Sequence, residues 1–332
     1  MTPDEDQPVF FDAVTSSARQ LFFVLQCCGF QPRAELELLQ EGVKVTVEES
    51  RIMTANIFVD KTIFSTYTFK TTGNDEEDHD GSRTTSTPSA AEEGQEHSVS
   101  FGISLAALLE CLQIFGADTS REKWHGGGGT KEVNTRAGAG IFDQQVLKVG
   151  GTCRISYRGQ GHPLSLMLEE NGVVTTCELV TYEPEAVQEI PFAMDQLVLK
   201  IIMKSSWLYD AIQELEGSSV ERLTIAVSPQ HPYFSLSASG PTGSTVVEFS
   251  NDQNLLQSFK CDEPAQHTYK FCLVKCAAKA MAVASKVSIR SDRLGVLSMQ
   301  FMIEQEGGGA NFVDFRFMSL ATDGSHDEIE AE

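Results

Sequence analysis

The sequence predicts an α+β protein made of four repeats, each a strand, a helix and further strands, paired into two domains. Three observations predict it. Apolar residues alternate with polar ones over many short segments, as strands with one buried face require. Four segments instead place apolar or small residues at helical spacing directly after a strand-like run. A proline-containing stretch then divides the chain into halves of the same plan.

Taken in order, the first repeat opens with VFFDAV (9–14) and a helix near 16–27, SSARQLFFVLQC, before ELELLQ, GVKVTVEES and NIFVDKTIF. The second has HSVSFGIS (97–104), the helix LAALLECLQIF (105–115), then CRISYRG, PLSLMLEE and VVTTCELV. The third has LVLKIIMKS (197–205), the helix SWLYDAIQEL (206–215), then RLTIAVSP, YFSLSAS and STVVEFS. The fourth has HTYKFCL (267–273), a lysine-bearing helix, then KVSIRSD, LGVLSMQFMIE and NFVDFRFMSL. Such self-similarity is settled before any other feature because it decides the fold. Leu223, Ile225 and Val227 share a strand face, as do Leu297, Met299, Phe301 and Ile303. Leu105, Leu108, Leu109 and Leu112, and likewise Leu208, Ile212 and Leu215, form stripes that pack a helix onto a sheet. ENG (170–172) and SGPTG (239–243) read as hairpin turns.

The segment TYEPEAVQEIPFAMD (181–195) contains Pro184 and Pro191, which deny it a long helix or a central strand. It is the expected connector between an N-terminal domain, 1–181, and a C-terminal domain, 196–320. Residues 71–97 and 117–146 are rich in polar residues and glycine, and are expected to be loops without a core. The acidic tail 321–332 belongs with them.

The chain of 332 residues has a formal charge of −22, which speaks against nucleic acid until the charge is located. Residues 73–97 hold eight acids and one arginine, the last ten residues five acids, and Asp4 to Asp6 three. These segments supply 15 of the 22 negative charges, so the body of the chain is only modestly acidic. No apolar run reaches the roughly 18 residues of a membrane span, and MTPDEDQP is acidic where a secretory signal would be basic. A soluble, intracellular protein without membrane partners is expected. The eight cysteines are scattered without C-x-x-C pairs, and read as reduced, mostly buried thiols.

One stretch runs against the overall charge. LVKCAAKAMAVASKVSIR (273–290) holds three lysines and one arginine and no acid. Lys275, Lys279 and Lys286 are spaced by four and seven residues, so on one helix they fall within about 40° of each other, with Lys286 at the point where the helix gives way to the strand KVSIRSD. A solvated helix face is one reading; the absence of paired acids favours an anionic partner such as a phosphate backbone.

Five phrases carry a family resemblance: GVKVTVEES (42–50), LLECLQIFG (108–116), PLSLMLEENGVVTTC (163–177), SPQHPYFSLS (228–237) and KVSIRSD (286–292). With the four repeats and the connector, they resemble the Rad-one-type subunit of the nine-one-one checkpoint clamp, related to proliferating cell nuclear antigen. The resemblance implies a DNA sliding-clamp fold, with helices lining a ring and sheets outside. It implies a subunit of a heterotrimer that encircles double-stranded DNA at damage sites, in the nucleus, as a platform for checkpoint and repair factors. Its partners would be Rad-nine-type and Hus-one-type subunits and a checkpoint clamp loader.

The resemblance assigns site residues. Lys275, Lys279 and Lys286, with Arg19 and Lys204, would face DNA. Val173, Val174, Thr175, Thr176 and Cys177 on one strand, and Ser244, Thr245, Val246, Val247 and Glu248 on another, would form subunit contacts; the alternative is that a loop covers each edge. Ile190, Pro191 and Phe192 would border a partner pocket beneath the connector. Two departures weaken the inner charge: helix two has no basic residue, and helix three carries Asp210 and Glu214.

The rival class is a 3′–5′ exonuclease, which needs three or four acids gathered around metals; Asp314 has no evident partner motif. GGGGTK (126–131) lacks the G-K-[ST] order of a phosphate loop and reads as linker, and RGQGHP (158–163) as a turn. No catalytic residue, metal site or cofactor is assigned. A β-rich scaffold without a basic inner face is the third class.

Overall fold

The computed structural model describes residues 9–16, 18–70, 98–114, 151–170, 172–217, 220–305 and 309–321. The predicted loops 71–97 and 117–146, and the tail from 322 onward, lie outside the described residues.

Strand β1 (Phe11–Thr15) leads into helix α1 (Ala18–Gln26), followed by β2 (Arg33–Leu38), β3 (Gly42–Glu49), β4 (Met53–Asp60) and β5 (Thr66–Phe69). Next come β6 (Val99–Ser104), α2 (Leu105–Gln113), β7 (Gly151–Tyr157), β8 (Leu164–Glu170), β9 (Val173–Leu179) and the short β10 (Thr181–Tyr182). Past the connector stand β11 (Leu197–Lys204), α3 (Ser205–Leu215), β12 (Arg222–Val227), β13 (Phe234–Gly240), β14 (Gly243–Phe249) and β15 (Leu256–Cys261). The chain closes with β16 (Ala265–Lys270), α4 (Phe271–Lys275), α5 (Ala278–Val283), β17 (Lys286–Asp292), β18 (Leu297–Glu304) and β19 (Ala310–Phe317). The predicted strands and the first three predicted helices are present, and the fourth helix is divided in two. Strands β5, β10 and β15 are additional; β10 is too short for a pattern, and β15 buries only Leu256.

The strands form three antiparallel sheets. One runs β5-β1-β7-β8-β9, another β14-β13-β12-β16, and between them a ten-stranded sheet runs β10-β6-β2-β3-β4-β19-β18-β17-β11-β15. The large sheet joins the two halves through β4 and β19, registered from Phe58 opposite Phe312 to Met53 opposite Phe317. Alternation fixes which side of each strand is inside. Leu199, Ile201 and Met203 on β11, and Val287 and Ile289 on β17, are buried against the helices.

The helices are short, too short to persist alone, and depend on this burial. Helix α1 packs beside α2, and α3 beside α5. Ser104 caps α2 by accepting from the Ala107 N–H at 3.3 Å. The head of α3 lacks a side-chain cap and is tied to α5 instead: Ser205 is fully buried and donates to the Met281 carbonyl at 2.8 Å.

The lysine stretch departs from the expected single helix. The Cys276 and Ala277 N–H groups bond three residues back, to Leu273 and Val274, which separates α4 from α5. Ala284 is extended, and the Ser285 N–H bonds Met302 on β18, so Lys286 opens strand β17. The alternation of Val287, Ile289 and Ser291, all buried, outweighs the alanine-rich run before it.

A ring cluster spans the joint between the halves. Phe315 is fully buried and lies 6.2 Å from Phe30, 5.8 Å from Phe301 and 6.2 Å from Phe317, centroid to centroid. Phe315→Ala should lower unfolding free energy by about 3–5 kcal/mol, the range for a buried aromatic truncation. Urea denaturation followed by circular dichroism and tryptophan fluorescence measures it, with coincident transitions; a loss below about 1 kcal/mol would mean the joint is not a shared core.

Candidate nucleic-acid face and subunit edges

On α4 and α5 the solvent-facing residues are Cys272, Lys275, Lys279 and Ala282, while Val274, Ala277, Ala280 and Met281 are buried. Lys275 and Lys279 therefore share one exposed stripe. The missing acid is supplied by tertiary structure: Lys275 pairs with Glu216, at the end of α3. Lys279 lies near the end of α1, where it acts on Cys27; burial pushes that thiol up to about 12, and the lysine pulls the other way. Arg19 on α1 is half-buried with its guanidinium 5.4 Å from the Phe23 ring centroid.

Lys204 and Lys286 do not extend this stripe. They are register partners on β11 and β17. Their parity matches Lys200 and Arg290, opposite to the buried row of Leu199, Ile201 and Met203. Both thus stand on the sheet face turned away from the helices, a correction that follows from the period-two alternation of strands.

The two strand edges fall at the ends of separate sheets. Strand β9 terminates the five-stranded sheet, paired on one side to β8. Val173, Val174 and Thr176 are exposed on it, while Thr175 and Cys177 are half-buried. Strand β14 terminates the four-stranded sheet, paired to β13, with Ser244, Thr245, Val246 and Glu248 exposed and Val247 half-buried. Terminal strands offer unpaired backbone groups to another chain.

The connector is locked to the outer face of the large sheet by polar contacts that the sequence did not reveal. Arg316 Nη1 donates to the Ile190 carbonyl at 2.9 Å. The Ala193 N–H donates to Asp292 Oδ2 at 3.3 Å, and Lys44 Nζ meets Glu189 at 3.0 Å, which holds that carboxyl below its ordinary value. Arg290 sits 5.8 Å from the Phe192 ring centroid. Ile190 is buried, Phe192 half-buried and Pro191 exposed, so Ile190 anchors the connector and leaves only the other two accessible. A cleft of about 260 Å³ opens farther back, under Tyr182 to Val187, against Arg33, Glu35 and Gly102. Burial there raises the Glu35 carboxyl above its ordinary range.

Asp314, the strand acid with no predicted partner, is fully engaged. It accepts from Ser298 Oγ at 2.7 Å and Arg316 Nε at 3.0 Å, and lies 3.6 Å from Arg290 Nη2. Among the described residues no group of three or more His, Cys, Asp or Glu is placed to hold a metal ion.

Known proteins of the same kind frame this geometry. The family described as "Repair protein Rad1/Rec1/Rad17" matches residues 10–303. The mouse "Cell cycle checkpoint protein RAD1" is 34% identical over 303 residues, covering 91% of this chain and 90% of its own. The fission-yeast "DNA damage checkpoint control protein rad1" is 33% identical, covering 93% of this chain and 86% of its own. Among solved structures, the proliferating cellular nuclear antigen of Entamoeba histolytica superimposes with a TM-score of 0.65 at 14% identity, covering 95% of this chain and 100% of the other. The fold is thus that of the sliding clamps, and the chain belongs to the Rad1 family of repair and checkpoint proteins.

Proposed function

We propose that this chain is one subunit of a heterotrimeric checkpoint clamp that encircles double-stranded DNA in the nucleus and serves as a platform for signalling and repair factors. The observation that carries the reading is a clamp fold that ends, on each side, in an open strand edge. Strands β9 and β14 are then the subunit contacts. The chain divides into two clamp domains, 1–181 and 196–320, joined by the connector. Two related subunits, of Rad-nine and Hus-one type, complete the ring, a checkpoint clamp loader opens it, and partners reach Pro191 and Phe192 at the connector.

Within the ring, Lys275, Lys279 and Arg19 face the DNA. Contacts of that kind touch phosphates and carry no sequence information. Because Lys275 is already paired to Glu216, attraction to the duplex is modest, and closure of the ring supplies the retention. The exonuclease alternative is disfavoured by the commitment of Asp314 to Arg316, Arg290 and Ser298; its role is to hold the sheet together.

Copurification with the two related subunits should give a complex of one copy each by light scattering. It should stay on closed circular DNA and slide off once the circle is cut. Equal retention on cut and closed DNA would rule out encirclement.

Lys275→Glu with Lys279→Glu should leave assembly and melting temperature nearly unaltered, since exposed charges contribute little to folding. Binding to the circle should weaken, with the log–log salt slope shallower by up to about one unit per lost phosphate contact. Lys200→Glu with Lys260→Glu, exposed positions on other strands, should have a smaller effect. Equal losses from the two pairs would remove the inner-face assignment.

A further inference from the structure

Trp207 is 41% exposed on α3, although most large apolar side chains here are buried. Its direction follows from the helix. Glu216, nine residues on and therefore about half a turn around, pairs with Lys275 and marks the flank of α3 that faces α4 and α5. Trp207 lies on the other flank, turned away from α5, and besides α5 and the large sheet α3 packs against β13 and the terminal strand β14. Asp210 and Glu214, three and seven residues on, share its ridge and are exposed. On β14 the row of Val247 and Phe249 packs toward the helices, so the exposed Val246 and Glu248 stand on the opposite face of the sheet; the edge presents Trp207 beside two acids on its helix side and Val246 beside a third acid on the other. Neither α3, β13 nor β14 contains a Lys or Arg, and none of the three acids has an ion-pair partner among the described residues.

The opposite edge has the same sign. Helix α2 packs against β9 and exposes Glu110, Ile114 is exposed just past its end, and β8 and β9 expose Glu169 and Glu178. No Lys or Arg occurs on α2, β8 or β9. A second copy docking head to tail would set acids against acids with no Lys or Arg on the five elements α3, β14, α2, β8 and β9 to compensate them, and such juxtaposition is strongly disfavoured.

We propose that the β14–α3 edge is keyed to a non-identical clamp subunit whose facing edge carries Lys or Arg around an apolar pocket, that Trp207 is the anchor seated in that pocket, and that the acids on both edges bar self-pairing. This rests on the ring-subunit reading above. Tryptophan is over-represented among residues that dominate interface energies, and a rim of charge selects the partner more than it adds affinity.

The test uses the full chain alone, so it is independent of DNA and of the sister subunits. Asp210→Lys, Glu214→Lys and Glu248→Lys together turn one edge basic and make it complementary to the chain's own β9–α2 edge. By sedimentation at micromolar concentration the wild type should be monomeric. The triple variant should self-associate at least about tenfold more tightly at low salt and dissociate as salt shortens the screening length. Adding Trp207→Ala, and separately Trp207→Gln, should weaken the gained association about tenfold or more, with circular dichroism as the check on folding. Asp262→Lys, Glu263→Lys and Glu304→Lys, exposed acids on other elements, change net charge equally and should leave the chain monomeric.

A triple variant that stays monomeric, or a control triple that associates as well, overturns the charge key. An unchanged affinity on removing Trp207 overturns the anchor. Self-association of the triple variant while the wild type fails to bind its sister subunits would refute the ring reading and leave the edge chemistry standing.

Discussion

The β4–β19 ladder is the constraint on which the rest of the structure depends. Among the described residues it is the one place where strands from the two halves pair directly, from Phe58 opposite Phe312 to Met53 opposite Phe317. On the helix side the joint is sealed by buried Ala55, Ile57, Val313 and Phe315. On the other side Asp314 gathers Ser298, Arg290 and Arg316, and Arg316 reaches onward to the connector. Half-buried charges of this kind are tolerable because each is paired and hydrogen-bonded; removing one partner would strand the others. The same network therefore fixes both the sheet register and the path of the connector. With the joint held, the two outer strands β9 and β14 keep a defined separation, as the proposed ring would require.

The turn between β17 and β18 adds a second tie, between the large sheet and the four-stranded one. Tyr269 on β16 donates to the Gly295 carbonyl at 2.9 Å. Gly295 has φ +78°, and a Cβ there would approach His267 Nδ1 to 2.6 Å, so both the backbone conformation and the space require glycine. Asp292 in turn accepts from the Leu294 and Val296 N–H groups and from Ala193. One buried carboxylate thus closes the turn and holds the end of the connector.

Much of the fold was legible because it rests on local periodicity. The stripe of Leu208, Ile212 and Leu215 and the strand rows of Leu223, Ile225 and Val227 are buried as their spacing dictates. What spacing alone misjudges is the place where one periodicity gives way to another: the strand KVSIRSD begins where its pattern says, but the run before it breaks into α4 and α5, and Lys286 belongs to the strand and not to the stripe of Lys275 and Lys279. The β3–β4 turn also carried no signal, since Ser50 and Arg51 both adopt positive φ, at 53° and 58°, without a glycine. The site was less legible than the fold for a plain reason. Glu216 lies 59 residues from Lys275 and Arg316 lies 126 from Ile190, and no spacing rule connects residues so far apart.

The charge economy of the chain becomes coherent on the clamp reading. A formal charge of −22 would repel a polyanion over long distances, but screening confines each charge to about 8 Å at physiological salt. Only the residues nearest the duplex matter, and there the stripe is short: Lys279, a compensated Lys275 and a half-buried Arg19. A face so sparse cannot grip DNA tightly, and a tighter grip would oppose sliding. The energy of retention must then reside in the subunit contacts, the proposed place of the exposed Val173, Val174 and Val246 and of Trp207. On the same reading an acidic surface at those contacts takes nothing from DNA affinity and sorts like subunits from unlike ones, which suits a ring of different subunits.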